Sequence, residues 1–98
     1  MILIHGWADI RPEEQSRVAA AAAVMQAASR AEAGCVHYGL SWDAELPNRI
    51  CLLEIWRDAE AYDGHKASAH GKTFTAIAGE TAVGPPTFIH YTAEPVTS

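Results

Sequence analysis

The stretch "RICLLEIW", residues 49–56, sets the tightest limit on how this chain folds. Alternation along an extended strand puts Ile50, Leu52 and Trp56 on one face and Cys51, Leu53 and Ile55 on the other, so both faces call for cover. One layer of helices covers only one of them. The chain has 98 residues, and a chain of that size buries only about 60–65% of its unfolded surface when it folds alone. The simplest cover for the second face is another copy of the same chain, so a homodimer is expected. The length suits one domain spanning residues 1–98.

The flanking segments supply the rest of a small α+β fold. "ILIHGWA" (2–8) reads as a first strand, and Pro12 followed by Glu13 and Glu14 starts a helix. Val18, Ala22, Met25 and Ala28 recur near helical spacing, and the run Ala19 to Ala23 adds small side chains suited to close packing on a sheet. Arg30 and then Gly34 are expected to end this helix. "CVHYGLSWD" has the period of two of a half-buried strand, and "LPN" turns it into "RICLLEIW". Asp58 and Ser68 each fit a helix N-cap, which divides the next segment into two short helices. "AVGPP" ends them, "TFIHYTA" forms a last strand, and the tail from about residue 94 is expected to be loose. The order is β-α-β-β-α-β, the ferredoxin-like arrangement with an antiparallel sheet.

Charge and motif content remove several classes of function. The net charge is −5 and the seven Lys and Arg residues are scattered, so no basic stripe is present to bind nucleic acid. No apolar run approaches the roughly 20 residues of a membrane span, and "MILIHGWADI" has no basic leader region; a soluble, cytoplasmic protein is expected. Cys35 and Cys51 lack metal-ligand spacing and, on paired strands joined at "AELPN", lie on the order of 20 Å apart, beyond disulfide reach. No phosphate-binding glycine loop or hydrolase nucleophile motif occurs.

The residues left with chemistry to offer are Glu54 and the histidines. Glu54 interrupts the apolar "CLLEIW", where an unpaired carboxylate is costly, so it needs a partner. That partner serves either a structural hydrogen bond or a polar pocket, and Trp56 on the same face is either core or an aromatic pocket wall. His65 and His70 stand five residues apart, which on an unbroken helix separates them by about 140° and argues against a shared metal. A break near Ser68 changes that geometry. His5, Trp7, His37 and His90 fall on expected strands, where satisfied structural roles are common.

At "SRAEAGCVHYGL" and "LLEIWRDAEAYDGHKASAHGKTF" the sequence resembles the antibiotic biosynthesis monooxygenase family of the dimeric α+β barrel superfamily. The resemblance runs over about residues 29–74 and rests on Ser29, Arg30, Glu32, Gly34, Cys35, Tyr38, Glu54, Trp56, His65, Ser68, His70 and Phe74. It implies a ferredoxin-like subunit, a dimer formed by facing sheets, and a pocket between sheet and helices. It also implies oxidation of a small electron-rich aromatic, a hydroquinone or polyphenol, by O₂ without flavin, haem or metal. In that reading His65 is the catalytic base and Glu54 orients a polar neighbour, while Trp56, His70, His37 and Phe74 contact substrate. Haem-degrading relatives carry an Asn on the first strand and a Trp and His on the second helix, and this chain lacks that set. Two other readings keep the same scaffold: a non-catalytic dimer that binds a small ligand or regulates, and an isomerase of a small oxygenated metabolite. A closed, mainly apolar pocket touching both Trp56 and His65 would favour catalysis, whereas a filled core there would favour the binding or structural class.

Overall fold

The structure, a computed structural model, describes residues 1–97. Strand β1 (Ile2–Asp9) leads through a 3-10 turn (Pro12–Glu14) into helix α1 (Gln15–Arg30). Strands β2 (Cys35–Trp42) and β3 (Arg49–Trp56) follow as a hairpin, then helices α2 (Ala59–Ala67) and α3 (Ala69–Thr81), then β4 (Thr87–Thr92). The strands are antiparallel in the order β2-β3-β1-β4. Each helical connection therefore steps over one strand, β1 to β2 across β3 and β3 to β4 across β1, which is the ferredoxin-like α+β arrangement. Among the described residues no helix is long and apolar enough to cross a membrane.

Helix α1 buries Val18, Ala22, Met25 and Ser29, one stripe at helical spacing. Val18 and Ala22 pack with Ile10 and Ile50, and Met25 packs with Ile4, Tyr38 and Trp56. Within the run 19–23 only Ala22 is buried; Ala19, Ala20 and Ala23 face outward, so these alanines serve helix formation more than close packing. Two polar side chains of α1 also cover the open edge of β2: the Arg30 guanidinium donates to the Tyr38 carbonyl (2.9 Å) and Gln26 Oε1 accepts from the Leu40 N–H (3.0 Å).

The end of α1 departs from expectation. Gly34 is not a left-handed cap, since the only positive-φ residue among those described is Gly84. The helix stops at Arg30, and Gly34 instead lets the next loop press against α2: a Cβ there would sit 2.3 Å from Ala61 Cβ. Close approach, rather than a left-handed φ angle, is what requires glycine at this position.

The two faces of the sheet differ. Register places Tyr38, Glu54, Ile4 and His90 in one row across all four strands on the face toward the helices. The opposite face carries Leu3, Leu53, Ile55, Ile89 and Tyr91, and the chain's own helices leave it uncovered; Leu53 is 37% and Tyr91 48% exposed. The two-sided apolar pattern of β3 is real, but within one subunit only its Ile50–Leu52–Glu54–Trp56 side is packed.

Candidate active site

Helix α3 lies against α1, and β4 stays exposed along its length. Between them, the helices and the inner sheet face border a cavity of about 720 Å³ that is open to solvent along β4. Ile4, Met25, Leu40, Leu52, Phe74 and Phe88 make its apolar walls, and Glu54, Tyr38, His65, Tyr62 and His90 contribute its polar lining.

The polar groups form a buried network around His65 and a separate, exposed Tyr62–His90 pair. Trp56 Nε1–H donates to Glu54 Oε1 (2.7 Å), which supplies the partner that a carboxylate inside β3 requires. The imidazole of His65, 5% exposed, stacks on the Trp56 indole at 4.5 Å between ring centres, and its Nε2 stands 3.7 Å from Glu54 Oε1. On its other side His65 Nδ1 meets Glu32 Oε2 at 2.7 Å, and His70 Nε2 meets the same oxygen at 2.9 Å. Tyr38 is 2% exposed with its ring 5.5 Å from that of His65, while Tyr62 Oη and His90 Nε2 share a hydrogen bond of 3.0 Å.

Local sequence explains how the two histidines converge. Ser68 ends α2 and starts α3: its N–H and hydroxyl both donate to the His65 carbonyl, at 3.0 and 2.6 Å, and its Oγ accepts from the Gly71 N–H at 3.1 Å. Gly71 permits this tight junction, because a Cβ there would lie 2.7 Å from the His65 carbonyl oxygen. The break redirects α3 so that His70 reaches the carboxylate His65 already holds. The five-residue spacing that separates these side chains on a continuous helix thus brings them to a common partner here.

Electrostatics follow burial. Desolvation pushes the Glu54 carboxyl above its ordinary value, against the Trp56 hydrogen bond that favours its ionised form. Burial first, and then the Glu54 charge, likewise raise Tyr38 and Tyr62, so both phenols keep their protons at neutral pH.

Among the described residues Glu32, His65 and His70 could hold a metal ion, since their ligand atoms lie within 4.8 Å of one another. The two N···O separations of 2.7 and 2.9 Å are shorter than the roughly 3.3 Å edge of a tetrahedral site with bonds of about 2.0–2.1 Å. They match hydrogen bonds through ring protons.

The site residues expected from sequence take different places. His65, Glu54 and Phe74 line the cavity. His70 joins them through Glu32 and lies behind the wall. Trp56 corrects the expectation of an aromatic surface for substrate: it is fully buried (0% exposed) in the core with Ile4, Met25 and Tyr38, and it touches the cavity's lining through Glu54 and His65. His37 is on the opposite face of the sheet, exposed and away from the cavity. Glu32 carried no individual role in the sequence reading, although it joins both histidines. Tyr62 and His90 were also missed as a pair, because only the strand order shows that His90 shares a row with Glu54.

Fold and site together define a small α+β protein with a mainly apolar cavity and a buried Glu54–His65 pair in its wall. The chain belongs to the antibiotic biosynthesis monooxygenase family, whose model matches residues 1–76. It is 29% identical over 85 residues to YcnE of Bacillus subtilis (strain 168), named as a provisionally assigned monooxygenase; the match covers 87% of this chain and 90% of YcnE. The solved structure of Rv0793 from Mycobacterium tuberculosis superposes with a TM-score of 0.89 at 27% identity, covering 99% of this chain and 98% of that one. A Deinococcus radiodurans structure, at 20% identity and a TM-score of 0.90 over 100% of this chain and 97% of its own, shares the fold. Family and structural likeness support an oxidoreductase of monooxygenase-like type.

Proposed function

We propose that the protein oxidises a small electron-rich aromatic, a hydroquinone or polyphenol, with O₂ and no resident cofactor, as a homodimer in which residues 1–98 act as one unit. The observation that carries this reading is the Glu54–His65 pair set in the wall of an apolar cavity of about 720 Å³, within the usual size range of small-molecule sites. A gap of 3.7 Å between His65 Nε2 and Glu54 Oε1 is too long for a direct hydrogen bond and short enough for a bound hydroxyl to bridge. A phenolic O–H placed there loses its proton to His65 Nε2, while Glu54, fixed by Trp56, orients the oxygen.

The chemistry needs little more from the protein. Ground-state O₂ accepts electrons one at a time, and a phenolate ring donates the first itself. For a hydroquinone the balance is one ring C–H and two O–H groups plus O₂ giving a hydroxyquinone plus water, one oxygen atom entering the ring and all four electrons coming from the substrate; for an anthrone-like substrate it is a ring CH₂ plus O₂ giving C=O plus water. Phe74, Leu40 and Leu52 offer the ring an apolar wall. The uncovered sheet face, with Leu53, Ile55, Ile89 and Tyr91, supports pairing with a second copy through facing sheets.

The test is O₂ uptake by metal-stripped protein, without added flavin, on a panel of hydroquinones and anthrone-like phenols, with autoxidation subtracted. A protein-dependent rate on at least one member is expected. Background rates on every member, together with saturable binding of the same compounds, would instead establish a non-catalytic ligand-binding dimer.

A further inference from the structure

We infer that Glu32 is the positioning residue of this site: it holds His65 in the tautomer that carries its proton on Nδ1 and turns the Nε2 lone pair toward Glu54 and the cavity. The inference rests on the proposed reaction for its catalytic meaning and on geometry alone for the tautomer.

Glu32 sits in the loop between α1 and β2, and its backbone is fixed at both ends: its N–H donates to the Ser29 carbonyl (3.1 Å) and its carbonyl accepts from the Cys35 N–H (3.0 Å). Its side chain points inward to His65 Nδ1 at 2.7 Å. An ionised carboxylate only accepts hydrogen bonds, so a neutral imidazole facing it places its single proton on Nδ1. Nε2 is then unprotonated on the side where Glu54 and the cavity lie. When His65 takes a substrate proton it becomes an imidazolium, and Glu32 is the anion beside it, the role a carboxylate plays behind a catalytic histidine in general.

His70 completes the arrangement. Its Nε2 meets Glu32 Oε2 at 2.9 Å, so two imidazoles from two helices fix one oxygen and with it the carboxylate rotamer. The side chain of His70 is 25% exposed against 6% for His65, so His70 closes the cluster toward water. With His70 donating as well, Glu32 Oε2 is held from two sides and orients the base.

The deciding measurement is the tautomer of His65, read from ¹⁵N shifts and long-range ¹H–¹⁵N couplings of the ring in the parent and in Glu32→Leu. The parent should show Nδ1–H, and the variant should lose it in favour of Nε2–H facing Glu54. Nε2–H in the parent overturns the inference without recourse to any variant, and so does Nδ1–H persisting in a folded Glu32→Leu. On any substrate the parent turns over, Glu32→Leu should lower kcat by about 10²-fold or more with KM changed by less than about threefold. An unchanged kcat in the folded variant overturns the inference as well. If the parent oxidises nothing, the proposed reaction fails, and the tautomer measurement still decides the role of Glu32.

Discussion

Burial works against the charge of Glu54, and stability should show it. Burial raises its folded-state value above the 4.5 of an exposed glutamate, so the folded state holds this proton more tightly than the unfolded state does. The stabilisation from that proton is fully present below about pH 4.5 and is lost as pH rises through the raised folded value. Glu54→Gln keeps an acceptor for Trp56 Nε1–H and removes the ionisation. Thermal melts from about pH 4 to about pH 8 should show the variant gaining on the parent as pH rises, with the difference smallest at the acid end; a gap independent of pH would show that Glu54 pays no burial cost. The need for a Glu54 partner was legible in "CLLEIW", because an apolar strand context leaves a carboxylate few ways to be satisfied. The identity of that partner was not. Period two places Trp56 on the same face as Glu54, but whether the indole borders open space or lies under α2 depends on helix placement that strand periodicity does not encode. Glu32 was less legible still, since a loop glutamate becomes a hub only when two distant helices bring histidines to it.

At the level of elements, the α2–α3 junction positions both histidines and makes two glycines behave oppositely. Gly64 lies inside α2 with nothing within 4 Å of a prospective Cβ, so Gly64→Ala should stabilise by about 0.5–1 kcal/mol through helix propensity. Gly71→Ala drives a Cβ into the His65 carbonyl and Ser68 Oγ, which must move apart; a loss of about 1–3 kcal/mol is expected, with disturbed His65 and His70 ring signals. Urea unfolding of the two variants checks the contrast, and equal effects of either sign would contradict this account of the junction. The break itself was legible, because Asp58 and Ser68 carry the N-cap chemistry: Asp58 Oδ1 accepts from the Ala61 N–H and Ser68 Oγ from the Gly71 N–H. Its consequence for side-chain direction was not, since an angular argument holds only along an unbroken helix. Gly34 was misread for a related reason: sequence marks a glycine but not whether its neighbour or its φ angle required it.

At the level of the whole molecule, the apolar residues on both sides of β3 made the need to cover a second sheet face legible, whereas the strand order β2-β3-β1-β4 comes from the structure. Light scattering at micromolar concentration should give about twice the 10.5 kDa subunit mass, and Leu53→Lys, on the uncovered face, should shift it toward the monomer. A parent that runs as a clean monomer would contradict facing-sheet assembly. Catalysis is the further claim, and it places the proton-accepting atom at His65 Nε2, opposite Glu54 across a 3.7 Å gap. The most direct measurement is therefore the protein-dependent rate of O₂ uptake, with autoxidation subtracted, for the metal-stripped parent and His65→Ala on the same hydroquinone. Loss of a positioned general base predicts a fall of about 10²–10⁴-fold in the variant. Equal rates for the two folded proteins would contradict it and remove His65 from the reaction.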